Sequence, residues 1–107
     1  MGEVRVTAQD SEARVSLGDD LLVQLPENAT TGYRWDVHRI EGGLEVTASD
    51  YRMGDRPMLP GAGGTRVLRV HPTSVGEGRL ELLLKQPWGQ DVGDRYSVRV
   101  FVSGPGQ

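Results

Sequence analysis

The chain has 107 residues, 12 of them basic and 15 acidic for a formal net charge of -3, and it contains no cysteine. That length fits a single domain, expected over residues 1–107, whose core needs neither a metal nor cross-links. The absent cysteines exclude disulfides, thiol chemistry and thiolate metal sites, and the mild acidity lacks the broad basic field that draws proteins to nucleic acid or anionic membrane.

Met1 to Asp10 holds no apolar run long enough for a signal peptide or a membrane span, as expected of a cytoplasmic protein and equally of a mature exported fragment. From there the chain reads as strands. "EVRVT" and "ARVSL" alternate apolar and polar residues, "LLVQL" sets Leu21, Val23 and Leu25 on one face, and "YRWDVHRI" does the same with Tyr33, Trp35 and Val37. "EVTASDYR" and "TRVLRVHP" alternate less cleanly. "RLELLLK" aligns Leu80, Leu82 and Leu84, and "RYSVRVFV" aligns Tyr96, Val98, Val100 and Val102. No window carries a capped helical stripe, and the 15 glycines and 6 prolines fall mainly between the alternating segments.

An all-β domain follows, and about seven short strands separated by regular turn signals predict an immunoglobulin-like β-sandwich. A partly open barrel uses similar strands and is the alternative. Lettered A to G, the strands place "LLVQL" at B, "YRWDVHRI" at C, "EVTASDYR" at D, "TRVLRVHP" at E, "RLELLLK" at F and "RYSVRVFV" at G. Trp35 on strand C is then a core residue. With strands running up and down, loops B-C, D-E and F-G share one end, and these carry the unusual residues: "PENATTG", "MGDRPMLPGAGG" and "QPWGQDVGD". The other end has plainer turns, "EGG" and "SVGEG".

Asn28, Thr30 and Thr31 can bond to their own backbone, and Gly32 permits a positive φ, so "NATTG" reads as a compact, self-braced tip. Such a tip is either good turn chemistry alone or a small-residue wedge that loses little entropy on docking. The glycines of "GAGG" lead into a strand, not a helix, which removes the phosphate-cradle reading. A linker, or bare backbone able to pair with an extended groove, remains. Trp88 follows Pro87 outside the strand alternation; it is an interface anchor or a lid on the sandwich edge. His38 and His71 have no partner at metal-ligand spacing. Asp19 with Asp20, and Asp91 with Asp94, lack the oxygen-rich pattern of a calcium loop. "NAT" matches a glycosylation acceptor, a pattern common by chance. No nucleophile elbow is present, so no catalytic residue, cofactor or metal is expected, and the chain is not read as an enzyme.

Asn28-Ala29-Thr30-Thr31-Gly32-Tyr33-Arg34-Trp35, Gly61-Ala62-Gly63-Gly64 and Gln86-Pro87-Trp88 together resemble the signature of the chagasin-type inhibitors of papain-like cysteine proteases, whose loops carry N-P-T-T-G-[YF]-x-W, G-x-G-G and R-P-W segments in that order. Ala29 stands where that family has proline and Gln86 where it has arginine, removing a fixed φ and a charge. The resemblance implies a reversible inhibitor that occludes a protease cleft, and the domain is expected to be a monomer. The Thr30-Thr31-Gly32 tip would lie over the catalytic cysteine, Gly61 to Gly64 along the substrate side, and Trp88 on the primed side, with Gln86 toward the rim. The alternative is a structural or adhesive sandwich module that binds another protein through the same loops.

Overall fold

The computed structural model describes residues 2–28, 31–52, 63–89 and 91–104. These residues form β1 (Glu3–Thr7), β2 (Glu12–Ser16), β3 (Asp20–Glu27), β4 (Arg34–Glu41), β5 (Leu44–Arg52), β6 (Gly64–Pro72), β7 (Gly76–Lys85) and β8 (Val92–Ser103). They build two sheets, one in the order β1-β3-β6-β5 and the other β2-β8-β7-β4. Two separate sheets make a sandwich rather than a barrel.

The strand count exceeds the expected seven because the two segments ahead of strand B form separate strands in opposite sheets. β1 runs parallel to β3, and β2 runs parallel to β8. The turn between them is held locally: Asp10 N–H donates to the Thr7 carbonyl at 3.0 Å, and Thr7 N–H donates to the Asp10 carboxylate at 2.8 Å. From β8, the Tyr96 hydroxyl donates to the Asp10 carbonyl at 2.8 Å, which pins this crossing to the second sheet. Burial, with the nearby Asp10 charge, pushes the Tyr96 phenol up to about 12.

Side-chain alternation sends one set from each sheet inward. Leu21, Val23 and Leu25 of β3 and Leu68 and Val70 of β6 meet Leu80 and Leu82 of β7 and Val98 and Val100 of β8, none more than 1% exposed. Each such leucine contributes roughly 1.5–3 kcal/mol relative to an exposed one. Trp35 joins this core from β4. Val37 does not share its burial: it stays 40% exposed because β4 is an edge strand of its sheet. A bulge between Val37 and Arg39 restores the inward phase, so Val37 and Ile40 face the positions opposite Leu82 and Leu80 despite their odd spacing. β5, the edge of the other sheet, has a matching irregularity between Val46 and Ala48. Bulged, charged edges of this kind discourage pairing with further strands.

β6 is an interior strand, although "TRVLRVHP" alternates poorly. The disturbance comes from Arg66, which occupies an inward position opposite Leu25. Its partner defines the end of the sandwich where the unusual loops emerge.

Candidate functional site

Three connections leave from one end. Glu27 pairs with Gly64, Arg52 with Thr65, and Arg34 with Lys85, so the segments after β3, β5 and β7 emerge side by side. Beneath them lies a buried ion pair. Inward alternation along β3 runs Leu21, Val23, Leu25, Glu27, and on β6 it runs Val70, Leu68, Arg66, so the last inward position of each strand is charged. Arg66 engages Glu27 through both arms, Nη2 to Oε2 at 2.7 Å and Nε to Oε1 at 3.2 Å, with side-chain exposures of 12% and 3%. Such a fork-to-carboxylate pair fixes geometry as well as charge.

The pair also collects neighbouring strands. Trp35 N–H donates to Glu27 Oε1 at 2.8 Å, and the Trp35 indole N–H donates to the Pro26 carbonyl at 2.9 Å. The Arg66 guanidinium stands 5.6 Å from the centre of the Tyr51 ring, a cation–π contact. One cluster therefore ties the end of β3, the start of β4, the end of β5 and the start of β6. A small cavity of about 160 Å³ sits above it, lined by Glu27, Gly32, Tyr33, Arg34, Tyr51 and Arg66.

The first loop is braced from within. Thr31 N–H and the Thr31 hydroxyl both donate to the Asn28 carbonyl, at 3.2 and 2.8 Å, and the same hydroxyl accepts from Tyr33 N–H at 3.3 Å. Gly32 takes φ +79, a conformation that side chains disfavour. The third loop closes against it. Trp88 is 75% exposed, yet its ring edge lies so near Gly32 that a Cβ there would come within 2.6 Å of it. Gln86 is half-buried, and its amide N–H donates to the Thr31 carbonyl at 3.1 Å. The residue standing in place of an arginine thus spans the first and third loops instead of pointing out at their rim.

The two described glycines of the second segment differ. Gly63 is exposed and lies beside Asn28, where a Cβ would sit 3.8 Å from the asparagine Cβ in ordinary contact. Gly64 is buried as the first residue of β6, and a Cβ there would lie 2.5 Å from the Tyr51 hydroxyl and press on the Arg52 carbonyl. Gly64 therefore answers to the packing of Tyr51. Ala29, Thr30, Gly61 and Ala62 lie outside the described residues. Pro87 begins the turn that carries Trp88, closed by Gly89 N–H donating to the Gln86 carbonyl at 3.1 Å.

The remaining candidates sit elsewhere and have local roles. His71 meets Asp20 at 3.0 Å, His38 lies 4.0 Å from Glu81, Asp19 accepts from Gly2 N–H, and Asp94 accepts from Arg95 N–H. Among the described residues no three acidic or histidine side chains gather as a metal site. Sequence reading missed Glu27, Arg66 and Tyr51. The signal was present: opposite charges occupy the inward positions next beyond Leu25 and Leu68, where an unpaired charge would be expensive.

A family model described as the chagasin family peptidase inhibitor matches residues 14–100. Amoebiasin-1 of Entamoeba histolytica is 32% identical over 89 residues, covering 82% of this chain and 86% of that protein. Chagasin of Trypanosoma cruzi is 32% identical over 82 residues, covering 69% of this chain and 71% of its own. The crystal structure of the Entamoeba histolytica cysteine protease inhibitor EhICP2 shares the fold, with a TM-score of 0.78 and 20% identity over 94% of this chain and 96% of that one.

Proposed function

The chain belongs to the chagasin family of peptidase inhibitors, and from that footing we propose that it is a reversible, non-covalent, competitive inhibitor of papain-like cysteine proteases. The observation that carries this reading is the joining of Thr31, Gly32 and Trp88 into one exposed surface at the end of a rigid sandwich, with Gly63 beside Asn28. The target class agrees with the cysteine protease inhibitor whose fold this chain shares.

Each part has a physical role in such a complex. The tip from Asn28 to Gly32 offers small side chains, so its backbone can approach a narrow cleft closely. Its internal hydrogen bonds lower the entropy lost on docking. Trp88 presents a large aromatic surface from a short turn, the type of residue that dominates binding energy at interfaces. Gly63, with Gly61 and Ala62, supplies backbone for an extended contact along the substrate side. The domain contributes no nucleophile, acid or base: it occupies the cleft and holds no peptide bond in the near-attack geometry that the enzyme's thiolate needs.

Titration of papain with the purified domain tests the reading. Inhibition should be reversible and competitive with substrate, with no covalent adduct by mass spectrometry. Papain whose active-site cysteine carries a small alkyl group should still bind. Full protease activity in excess protein would overturn the proposal and favour a structural or adhesive module.

A further inference from the structure

We propose that Gln86 protects the Thr31–Gly32 peptide bond from the protease that the tip enters, by holding the Thr31 carbonyl oxygen inside the inhibitor's own hydrogen-bond network. This rests on the inhibitor reading above and adds to it a residue that keeps the inhibitor from becoming a substrate. The observation is the 3.1 Å hydrogen bond from the Gln86 amide to the Thr31 carbonyl, across 55 positions of sequence. It completes the internal use of Thr31, whose N–H and hydroxyl are already committed to Asn28 and Tyr33.

Cleavage at this bond has defined requirements. The protease thiolate adds to the Thr31 carbonyl carbon, and the carbonyl oxygen takes up the negative charge in a site of two enzyme donors. The intermediate then expels the Gly32 amine, which receives a proton from the enzyme's histidine. Water finally releases the Thr31 carboxyl and restores the thiol. The first step needs the oxygen turned into the enzyme's donors about 2.7–3.1 Å away. An oxygen directed at Gln86 is aimed at the third loop instead. Gly32 at φ +79 adds to this, since the chain beyond the bond is not extended as in a bound substrate. The ring of Trp88 packed on Gly32 keeps the segment from swinging into register. Gln86 is a positioning residue here: it acts on the protease only through Thr31.

The experiment compares the wild-type protein, Gln86→Glu and Gln86→Arg during prolonged incubation with papain, with products read by mass spectrometry. A carboxylate is nearly isosteric with the amide but donates no hydrogen bond to a carbonyl, whereas a guanidinium does. Gln86→Glu should be cut between Thr31 and Gly32 about tenfold faster than wild type, the equivalent of one lost hydrogen bond, with inhibition fading over time. Its Thr31 carbonyl-carbon resonance should also move. Gln86→Arg should stay intact and keep the wild-type resonance. Persistent inhibition by an uncut Gln86→Glu protein would overturn this proposal alone. Fragmentation of that variant at many bonds would also overturn it, because Gln86 would then serve the fold. Failure of the wild-type protein to inhibit would overturn the inhibitor reading, and this one with it.

Discussion

Strand β6 carries two arginines that do opposite things. Arg66 points into the end of the sandwich beneath the loops, and Arg69, an odd number of residues on, points out from the flat of the same sheet. Each meets a carboxylate at 2.7 Å, Arg66 with Glu27 and Arg69 with Asp20. Their surroundings differ. The first pair has side chains 12% and 3% exposed, and the second 39% and 26%. Equal distances therefore do not mean equal importance, since the worth of an ion pair depends on how far water is excluded and on what else it holds. The inner pair also carries Trp35 N–H and the Tyr51 ring, so it joins four strand ends under the tip. The outer network joins Glu3, Asp20, Arg69 and His71 in water across three neighbouring strands.

The largest effect should come from breaking the inner pair. Glu27→Ala leaves Arg66 buried without its counter-charge and deprives Trp35 N–H of an acceptor, a loss of about 3–5 kcal/mol. Thermal unfolding should show a midpoint lower on the order of 15 °C or more. Glu27→Gln keeps an acceptor for Trp35 and should lose less. If Glu27→Ala unfolds like wild type, the cluster does not hold the loop bases and the contrast between the pairs collapses.

Next in size is a change at the tip that spares the base. Trp88→Ala removes a side chain that is 75% exposed in the free protein, so the unfolding midpoint should barely move. Protease affinity should fall by about 2 kcal/mol or more, mainly through a faster off-rate. Paired calorimetry and binding kinetics separate the two quantities. A loss of stability without a change in off-rate would make Trp88 a part of the sandwich rather than a contact.

The smallest effect belongs to the outer network and shows itself through pH. The hydrogen bond to His71, then that to Arg69, hold the Asp20 carboxyl below its ordinary value of 3.8 against a weaker opposing pull from burial. A depressed folded-state value means that the stabilisation is present above the unfolded value and is lost as pH falls through the folded one. Asp20→Asn should therefore flatten part of the acid limb of the stability curve below about pH 4, with little change in protease affinity. An unchanged acid limb would show that the outer network contributes nothing to stability.

Much of the architecture was legible in local pattern. Period-two alternation marked most of the strand segments, including the two that became β1 and β2, and more weakly those that became β5 and β6, while the crowding of glycine, threonine, proline and tryptophan into three connections marked the end proposed to bind. Less legible were the features requiring two distant segments at once. Nothing near Asp10 in sequence says that Tyr96 will hold it, or that the two segments ahead of strand B will join opposite sheets. Arg66 read as a fault in a strand until Glu27 was brought opposite it. Gln86 read as a rim residue because its partner, the Thr31 carbonyl, is backbone, and side-chain identity does not announce a backbone contact.

By itself, then, the sequence determined the elements and the surface chemistry. Alternation is a property of successive residues, and turn residues act through their own φ and their own hydrogen bonds. Tertiary structure decided which charges would be inside, which glycine serves packing and which the surface, and whether Gln86 looks outward or back. Those outcomes depend on distances between segments that touch only after the sheets close. Burial then turns an ordinary glutamate and arginine into the fixed base of the proposed binding surface, because a charge removed from water persists only with a partner.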